Sequence, residues 1–492
     1  MMARLFGWHA AAGVTIAVLL ASCGGGGGSS PAPTPTPVAS VSLTATPASV
    51  SVGQSVTLSW SSQNTGASNC QAGGAWSGSQ ATSGSATVAA SAPAGGFGAA
   101  SSAAVAYTLT CGGTVGNASV TVNAPAPSAN MVAITVDTGP AGAGNQINLP
   151  YASVTVCRPG TSVCQTIDHM LIDTGSYGVR LLASQVQGLG LPALAAPSGL
   201  ATGECGQFIS GYTWGSVARA DVKLGGENAA GQSVQLIGDA PGGVGTAPTA
   251  CSSIGPNIGS LKALGANGIL GVGLLRQDCG TACVNSAISA TYYSCDSGAC
   301  TASRMPLASQ VTNPVASFAT DNNGVLLLLP AVPDGGLPSM SGNLVFGINT
   351  QANNAIAGET TFRANASGNF TTIYKGATMT ASFIDSGSNG IFFDDSTIPK
   401  CTVSTGFYCP TSSLMLSATT VGADGLASRV IDFTIENVEV LGNSAHVGKV
   451  GGPSAAVKSG TSNAFDWGLP FFFGRRVFIG LETATARGYW AY

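Results

Sequence analysis

Charge is what this chain has least of. Asp, Glu, Lys and Arg make up only 8% of its 492 residues, with 21 acids, 17 bases and a net charge of −4. Nucleic-acid binding needs a basic stripe, and none is present. Histidine is scarce too: His9, His169 and His446 are the only three, and His9 lies in the leader. The other two read as ordinary surface or core residues. There is no Gly-x-Ser-x-Gly turn, no His-Glu-x-x-His pair and no phosphate-binding Gly-x-x-x-x-Gly-Lys loop. Serine-esterase, zinc-hydrolase and nucleotide chemistry therefore have no sequence support, and no metal or other cofactor is called for. The apolar run at 10–21 is too short for a membrane helix, which needs about 20 residues.

Glycine, by contrast, is abundant, at 69 residues. Few charges with many Gly, Ser, Thr and Val predict a mainly β protein with many turns and few short helices. The length allows two or three domains. The N-terminus reads as a targeting segment: Arg4, an apolar core, then Leu20-Ala21-Ser22-Cys23. That tetrapeptide resembles a bacterial lipobox. The resemblance implies a signal peptide over 1–22, cleavage before Cys23 and a lipid on its sulfur. Gly24 in place of Asp implies sorting to the outer membrane of a Gram-negative cell. Residues 23–38, rich in Gly and then Pro, read as a tether.

Thirteen cysteines become twelve once Cys23 is set aside, and an exported chain is free to form disulfides. Sequence neighbours suggest Cys70–Cys111, Cys157–Cys164, Cys205–Cys251, Cys279–Cys283, Cys295–Cys300 and Cys401–Cys409. Connectivity stays open at this level. Cys279, Cys283, Cys295 and Cys300 could instead hold zinc, although their spacings are not Cys-x-x-Cys.

Residues 39–124 show period-two alternation at 41–46, 56–60, 107–111 and 118–122. This is the rhythm of a small β-sandwich, with Trp60 a core candidate and Cys70 with Cys111 a staple. The unit resembles bacterial immunoglobulin-like modules. The resemblance implies either carbohydrate or partner binding or a plain spacer. Residues 125–130 read as a linker.

The remainder divides into 131–340 and 341–492. In the first part, strand 151–156 and strand 165–172 flank a turn bounded by Cys157 and Cys164, a hairpin that delivers Asp173. The sequence there is Met-Leu-Ile-Asp-Thr-Gly-Ser-Tyr-Gly. It returns 212 residues later as Ser-Phe-Ile-Asp-Ser-Gly-Ser-Asn-Gly around Asp385. Each copy is an apolar strand ending in an acid and a sharp Gly turn. Asp137-Thr-Gly139 is a third such triplet, but Pro140 comes directly after it and it reads as a turn.

With Gly268-Ile-Leu-Gly271, Gly342-Asn-Leu-Val-Phe-Gly347 and the segment 467–478 in the same order, residues 150–492 resemble the bilobal pepsin-like aspartic peptidases. The chain also resembles an uncharacterised group of proteobacterial lipoproteins with the same two loops. The first resemblance implies a two-lobed β-barrel body with Asp173 and Asp385 as catalytic acids. Two carboxylates about 3 Å apart share one proton; the ionised one activates a water and the protonated one donates to the scissile carbonyl. Gly175 and Gly387 let the backbone approach and offer N–H groups. Thr174 and Ser386 would brace the loops, and Ser176 and Ser388 would hydrogen-bond the outer carboxylate oxygens. Tyr212-Thr-Trp-Gly-Ser216 is similar to the family's flap pattern, which makes Tyr212 the flap residue; a shifted register puts Phe208 there.

The chain departs from the family in three places, one of them Asn389-Gly390-Ile391 after the second loop. Gly178-Val-Arg-Leu181 stands where a Trp is usual, and Pro470 where a Gly is usual. The implied function is an exported, lipid-anchored endopeptidase acting on peptide or protein substrates. The alternative is a pepsin-fold binding or inhibitor protein of the cell envelope that has lost turnover.

Overall fold

The computed structural model describes residues 37–52, 54–91, 102–123, 129–238, 244–454 and 463–492. Cys23, the expected leader, the expected tether up to residue 36 and residues 125–128 of the expected linker lie outside the described residues. The architecture is mainly β, as the composition requires. Among the described residues the longest helix is the five-residue Thr281–Asn285.

Residues 37–123 form a unit with its own core. A three-stranded sheet, centred on Ser55–Gln63, faces a five-stranded sheet built around Ser102–Cys111 and Thr114–Asn123. The alternating apolar residues of both sheets meet in one cluster that contains Val56, Leu58, Tyr107, Leu109, Val120 and Val122. Trp60 packs 5.3 Å from Trp76 in that cluster, and Cys70 is bonded to Cys111. None of its residues joins the core of the body, which forms a separate cluster.

The body repeats one device twice. In its first half, Pro150–Cys157 and Cys164–Asp173 pair antiparallel, with Cys157 opposite Cys164 and bonded to it. In its second half, Phe370–Tyr374 pairs with Ala377–Ile384 across a Lys375-Gly376 turn. Both turn residues have positive φ (49° and 82°), the two-residue hairpin geometry that matches strand twist. Each hairpin carries a bulge at the same distance before its acid. Pairing shifts register between Met170 and Ile167 in one and between Ser382 and Met379 in the other. A bulge bends its strand and re-aims the residues beyond it, here an aspartate in each case.

Each acid-bearing strand is then flanked by a parallel neighbour. Gly268–Val272 runs beside it in the first half, with Leu171 opposite Ile269 and Ile172 opposite Leu270. Asp466–Trp467 does so in the second, with Phe383 opposite Asp466 and Ile384 opposite Trp467. Gly268–Val272 is buried on both faces, which explains its near-continuous apolar sequence. Around Trp467 the second half packs aromatics edge to face, and the Trp467 indole donates to Thr372 Oγ1 at 3.0 Å.

The two halves are not separate sheets. Met340–Phe346 begins at residue 340, where the sequence divides the body. It pairs with Met131–Val136 and with Gly324–Leu328, and the latter pairs with Arg476–Gly480 near the C-terminus. One hydrophobic cluster spans both halves, from Ile134 to Tyr492. Asn148, fully buried, adds a polar tie: its amide donates to Asn389 O and Gly448 O, both at 2.8 Å, and accepts from Gly448 N.

All six suggested disulfides form. Cys279, Cys283, Cys295 and Cys300 are thus consumed in two bonds and cannot serve as zinc thiolates.

Phe346 is fully buried where the two halves share their core and lies edge-on to Phe318 at 5.2 Å. Phe346→Ala removes that packing and should lower body stability by about 3–5 kcal/mol, measured as a lowered urea midpoint.

Candidate active site

Asp173 ends the strand Cys164–Asp173, and Asp385 comes directly after the strand Ala377–Ile384. Their two loops are locked together by reciprocal hydrogen bonds. Thr174 Oγ1 accepts from Ser386 N at 2.9 Å and donates to Ile384 O at 3.1 Å. Ser386 Oγ accepts from Thr174 N at 3.2 Å and donates to Ile172 O at 2.7 Å. All four bonds are buried, so each would leave an orphaned polar group if broken.

This lock sets the two loops against each other, and the Asp385 carboxyl lies in the field of the Asp173 charge. Each loop's glycine lies against the opposite acid. A Cβ on Gly175 would sit 2.7 Å from Asp385 Cγ, and one on Gly387 would sit 2.9 Å from Asp173 Cγ. Any side chain there would push the acids apart.

The donors are unequal. Asp173 Oδ1 accepts from Gly175 N at 2.8 Å and Ser176 N at 3.1 Å, and its Oδ2 accepts from Ser176 Oγ at 2.5 Å. Asp385 has two: Gly387 N at 2.8 Å on Oδ1 and Ser388 Oγ at 2.9 Å on Oδ2. Burial, then the charges of Asp173 and Asp466, push the Asp385 carboxyl well above the usual range. The pair's proton therefore belongs on Asp385, which has the fewer donors.

Beside the first loop lies a cavity of about 220 Å³ lined by Gly175, Ser176, Tyr177, Arg180, Phe208 and Asp278, among others. It is covered by the hairpin of Ala201–Phe208 and Gly211–Leu224, whose tip is Ile209-Ser210. Phe208 lines this cavity, beneath the Arg180 guanidinium at 5.7 Å. Tyr212, the residue chosen from the flap pattern, does not. It is buried in a separate cluster with Cys205, Trp214 and Cys251, the two cysteines being bonded to each other. The sequence pattern failed because the hairpin is short: residues 207 and 212 pair, so Phe208 and Tyr212 occupy different strands and surroundings.

Arg180 stands two positions past Gly178, in the segment that departs from the family. It is buried and bound to Glu204 at 2.6 Å, to Asp278 at 3.3 Å and to Tyr177 O at 2.7 Å. Sequence reading missed Glu204 and Asp278, since neither sits near a motif. It also missed Asp466, buried on the short strand that runs parallel to the second acid-bearing strand. A visible signal was available there: one acid inside the apolar run Ala464-Phe465-Asp466-Trp467.

Two other features stay apart from the pair. A cavity of about 330 Å³ is lined by Asp137, Tyr151, Asp168 and His169, among others, and none of its lining belongs to either Asp loop. Asp137 accepts from Gly139 N at 2.9 Å, which makes its Asp-Thr-Gly a self-closed turn. His446 Nδ1 lies 2.8 Å from Gln146 O.

Residues 126–492 match the family described as protein of unknown function, DUF3443. The chain belongs to that family. No curated protein matches it. Among solved structures it is similar to an aspartic proteinase from Irpex lacteus, at 18% identity and a TM-score of 0.41, over 74% of this chain and 97% of that one.

The site geometry predicts two outcomes. Thr174→Val orphans the Ser386 N–H and the Ile384 carbonyl at once; stability should fall by about 1–3 kcal/mol per orphaned group, with Thr174→Ser restoring most of it in urea unfolding. The second concerns pH. Asp385 and Asp466 both have folded-state pKa values raised above the unfolded one, Asp466 to about 8, first through burial. The protonated acids therefore favour the fold; that stability is complete below about pH 4 and is lost as pH rises. The melting temperature should fall between about pH 5 and pH 9.

Proposed function

We propose that the body is a pepsin-like aspartic endopeptidase that hydrolyses peptide bonds in extended segments of protein substrates. The observation that carries this reading is the buried reciprocal lock of Thr174 and Ser386, which holds the loops of Asp173 and Asp385 against each other, each loop's glycine beside the opposite acid. Such confinement of two like-charged groups opposes stability, and its chemical value is a pair that holds one proton. Asp173, ionised, takes a proton from a water bound between the acids. Asp385, protonated, donates to the scissile carbonyl oxygen as that water attacks the carbonyl carbon. The tetrahedral intermediate then collapses: Asp173 gives its proton to the leaving nitrogen, the C–N bond breaks and Asp385 takes one hydroxyl proton back. The cavity at Phe208, Tyr177 and Ser176 is suited to a substrate side chain next to the scissile bond.

We also propose that the mature protein is exported and anchored by lipid on Cys23, with the unit at 39–124 as an immunoglobulin-like spacer. The six disulfides support export. Among the described residues no helix is long and apolar enough to cross a membrane. An anchor at Cys23 makes the membrane a partner without a spanning segment.

The deciding experiment is cleavage of a denatured-protein mixture across pH 3–8. Asp173→Asn and Asp385→Asn should each reduce cleavage by about 100-fold or more, while both variants stay folded. Absence of cleavage by folded wild type would favour a binding protein instead. Incorporation of labelled palmitate, lost in Cys23→Ser, tests the anchor.

A further inference from the structure

The cavity beside the first loop is built on ions. Arg180 is 4% exposed and Glu204 1%, and their charges meet at 2.6 Å. Asp278, with a side chain 13% exposed, shares the same guanidinium nitrogen at a longer 3.3 Å. Its other oxygen accepts from the Tyr292 hydroxyl at 2.7 Å, and that hydroxyl accepts from Val311 N at 2.7 Å. Taking such charges out of water opposes stability unless their pairing is complete.

Here it is not complete. One guanidinium serves two carboxylates, so one negative charge is left unbalanced. Glu204 has the shorter contact and is the closer counter-ion, which leaves the surplus on Asp278. Glu204 Oε2 and Arg180 Nε, both buried, have no hydrogen-bond partner. The cluster is therefore not closed on itself, as a purely structural ion network would be. Among the described residues, Arg180 and Asp278 are the charged members of the cavity lining, and Glu204 stands behind them. With Arg180 neutralised from behind, the charge that the cavity presents is that of Asp278.

We propose that this cavity is a specificity subsite for a basic side chain, with Asp278 as the counter-ion of a substrate lysine or arginine. A volume of about 220 Å³ holds one long side chain, and Phe208 with Cys205 and Cys279 offers apolar wall for its methylene stem. The bound cation brings the cluster to two positive and two negative charges. Asp278 has accepting capacity left for it, since a carboxylate has about four lone-pair sites. A leucine or phenylalanine would instead cover the carboxyl without a partner, and an aspartate or glutamate would add a third like charge. Without a cation, burial and then the Glu204 charge hold a proton on Asp278. A basic side chain takes the place of that proton, which leaves to solvent.

The position of that side chain next to the cut bond rests on the peptidase reading. Gly175 and Ser176, which come directly after Asp173, line the same cavity, so its occupant neighbours the aspartate pair. Arg180 and Tyr292 are positioning residues that fix the direction of the Asp278 carboxyl. The guanidinium comes from Gly178-Val-Arg-Leu181, the segment that departs from the family pattern.

In cleavage of a denatured-protein mixture, mass spectrometry of the new termini should show Lys or Arg at one fixed position next to the cut bond, enriched about tenfold or more over Leu and Phe. Cuts made without regard to charge at every flanking position overturn the subsite and leave the peptidase reading standing. A second measurement uses no catalysis. Blocked hexapeptides of Val and Thr, with one central residue varied, are titrated calorimetrically into the full-length Asp385→Asn variant at about pH 7. The Lys peptide should bind about tenfold or more tightly than its Nε-acetyl-lysine counterpart, which keeps the stem and loses the charge. Asp278→Asn, added to that variant, keeps an acceptor for Tyr292 and should bring the ratio close to one. Should it fold poorly, the two peptides on the unsubstituted cavity still decide. No binding of the Lys peptide, equal affinity for both peptides, or a ratio that Asp278→Asn leaves unchanged overturns the proposal. If wild type cleaves nothing, the peptidase reading fails alone, and the binding ratio still decides the role of Asp278.

Discussion

The body depends on a conflict of charge held in place by neutral hydrogen bonds. Two carboxyl groups are forced together at the tips of two strands 212 residues apart in sequence, and nothing about that contact favours folding. The force that holds it is the exchange of hydroxyls and backbone groups between Thr174 and Ser386, with both halves contributing a donor and an acceptor. Because these groups are buried, separation would strand four of them without water or partner. The shared core from Ile134 to Tyr492 and the polar tie at Asn148 stiffen the same junction.

Equivalence between the halves extends further than the acids. Bulges before Asp173 and Asp385 fall at matching offsets, and each acid strand gains one parallel neighbour. The halves differ where chemistry would be tuned. Asp173 has three donors and Asp385 has two, and an acid stands behind only the second. A repeated scaffold with unequal surroundings assigns different protonation to two residues of one type.

Much of this was legible in the sequence. Both aspartates, their glycines and their hydroxyl neighbours stand in matched local patterns, and four of the six cysteine pairs lie within eight residues of each other. Local spacing is enough for such features, since turns and short-range disulfides close small loops. The cover over the cavity was not legible in the same way. A Tyr-x-x-Gly-Ser match pointed to Tyr212, whereas strand pairing set Phe208 on the cavity and Tyr212 against Trp214. One residue of register decides which face of a strand a side chain occupies, and a motif does not fix register.

By itself the sequence determined a mainly β chain and two strand-borne acids in like settings, because alternation and turn residues are local properties; it suggested six cysteine pairs that the structure then closed. Only the tertiary structure decided that Arg180 and Asp278 meet Glu204 of the hairpin, and that Asp466 is buried beside the second acid-bearing strand. Those contacts join residues from distant strands, and their energies depend on burial, which no local pattern records.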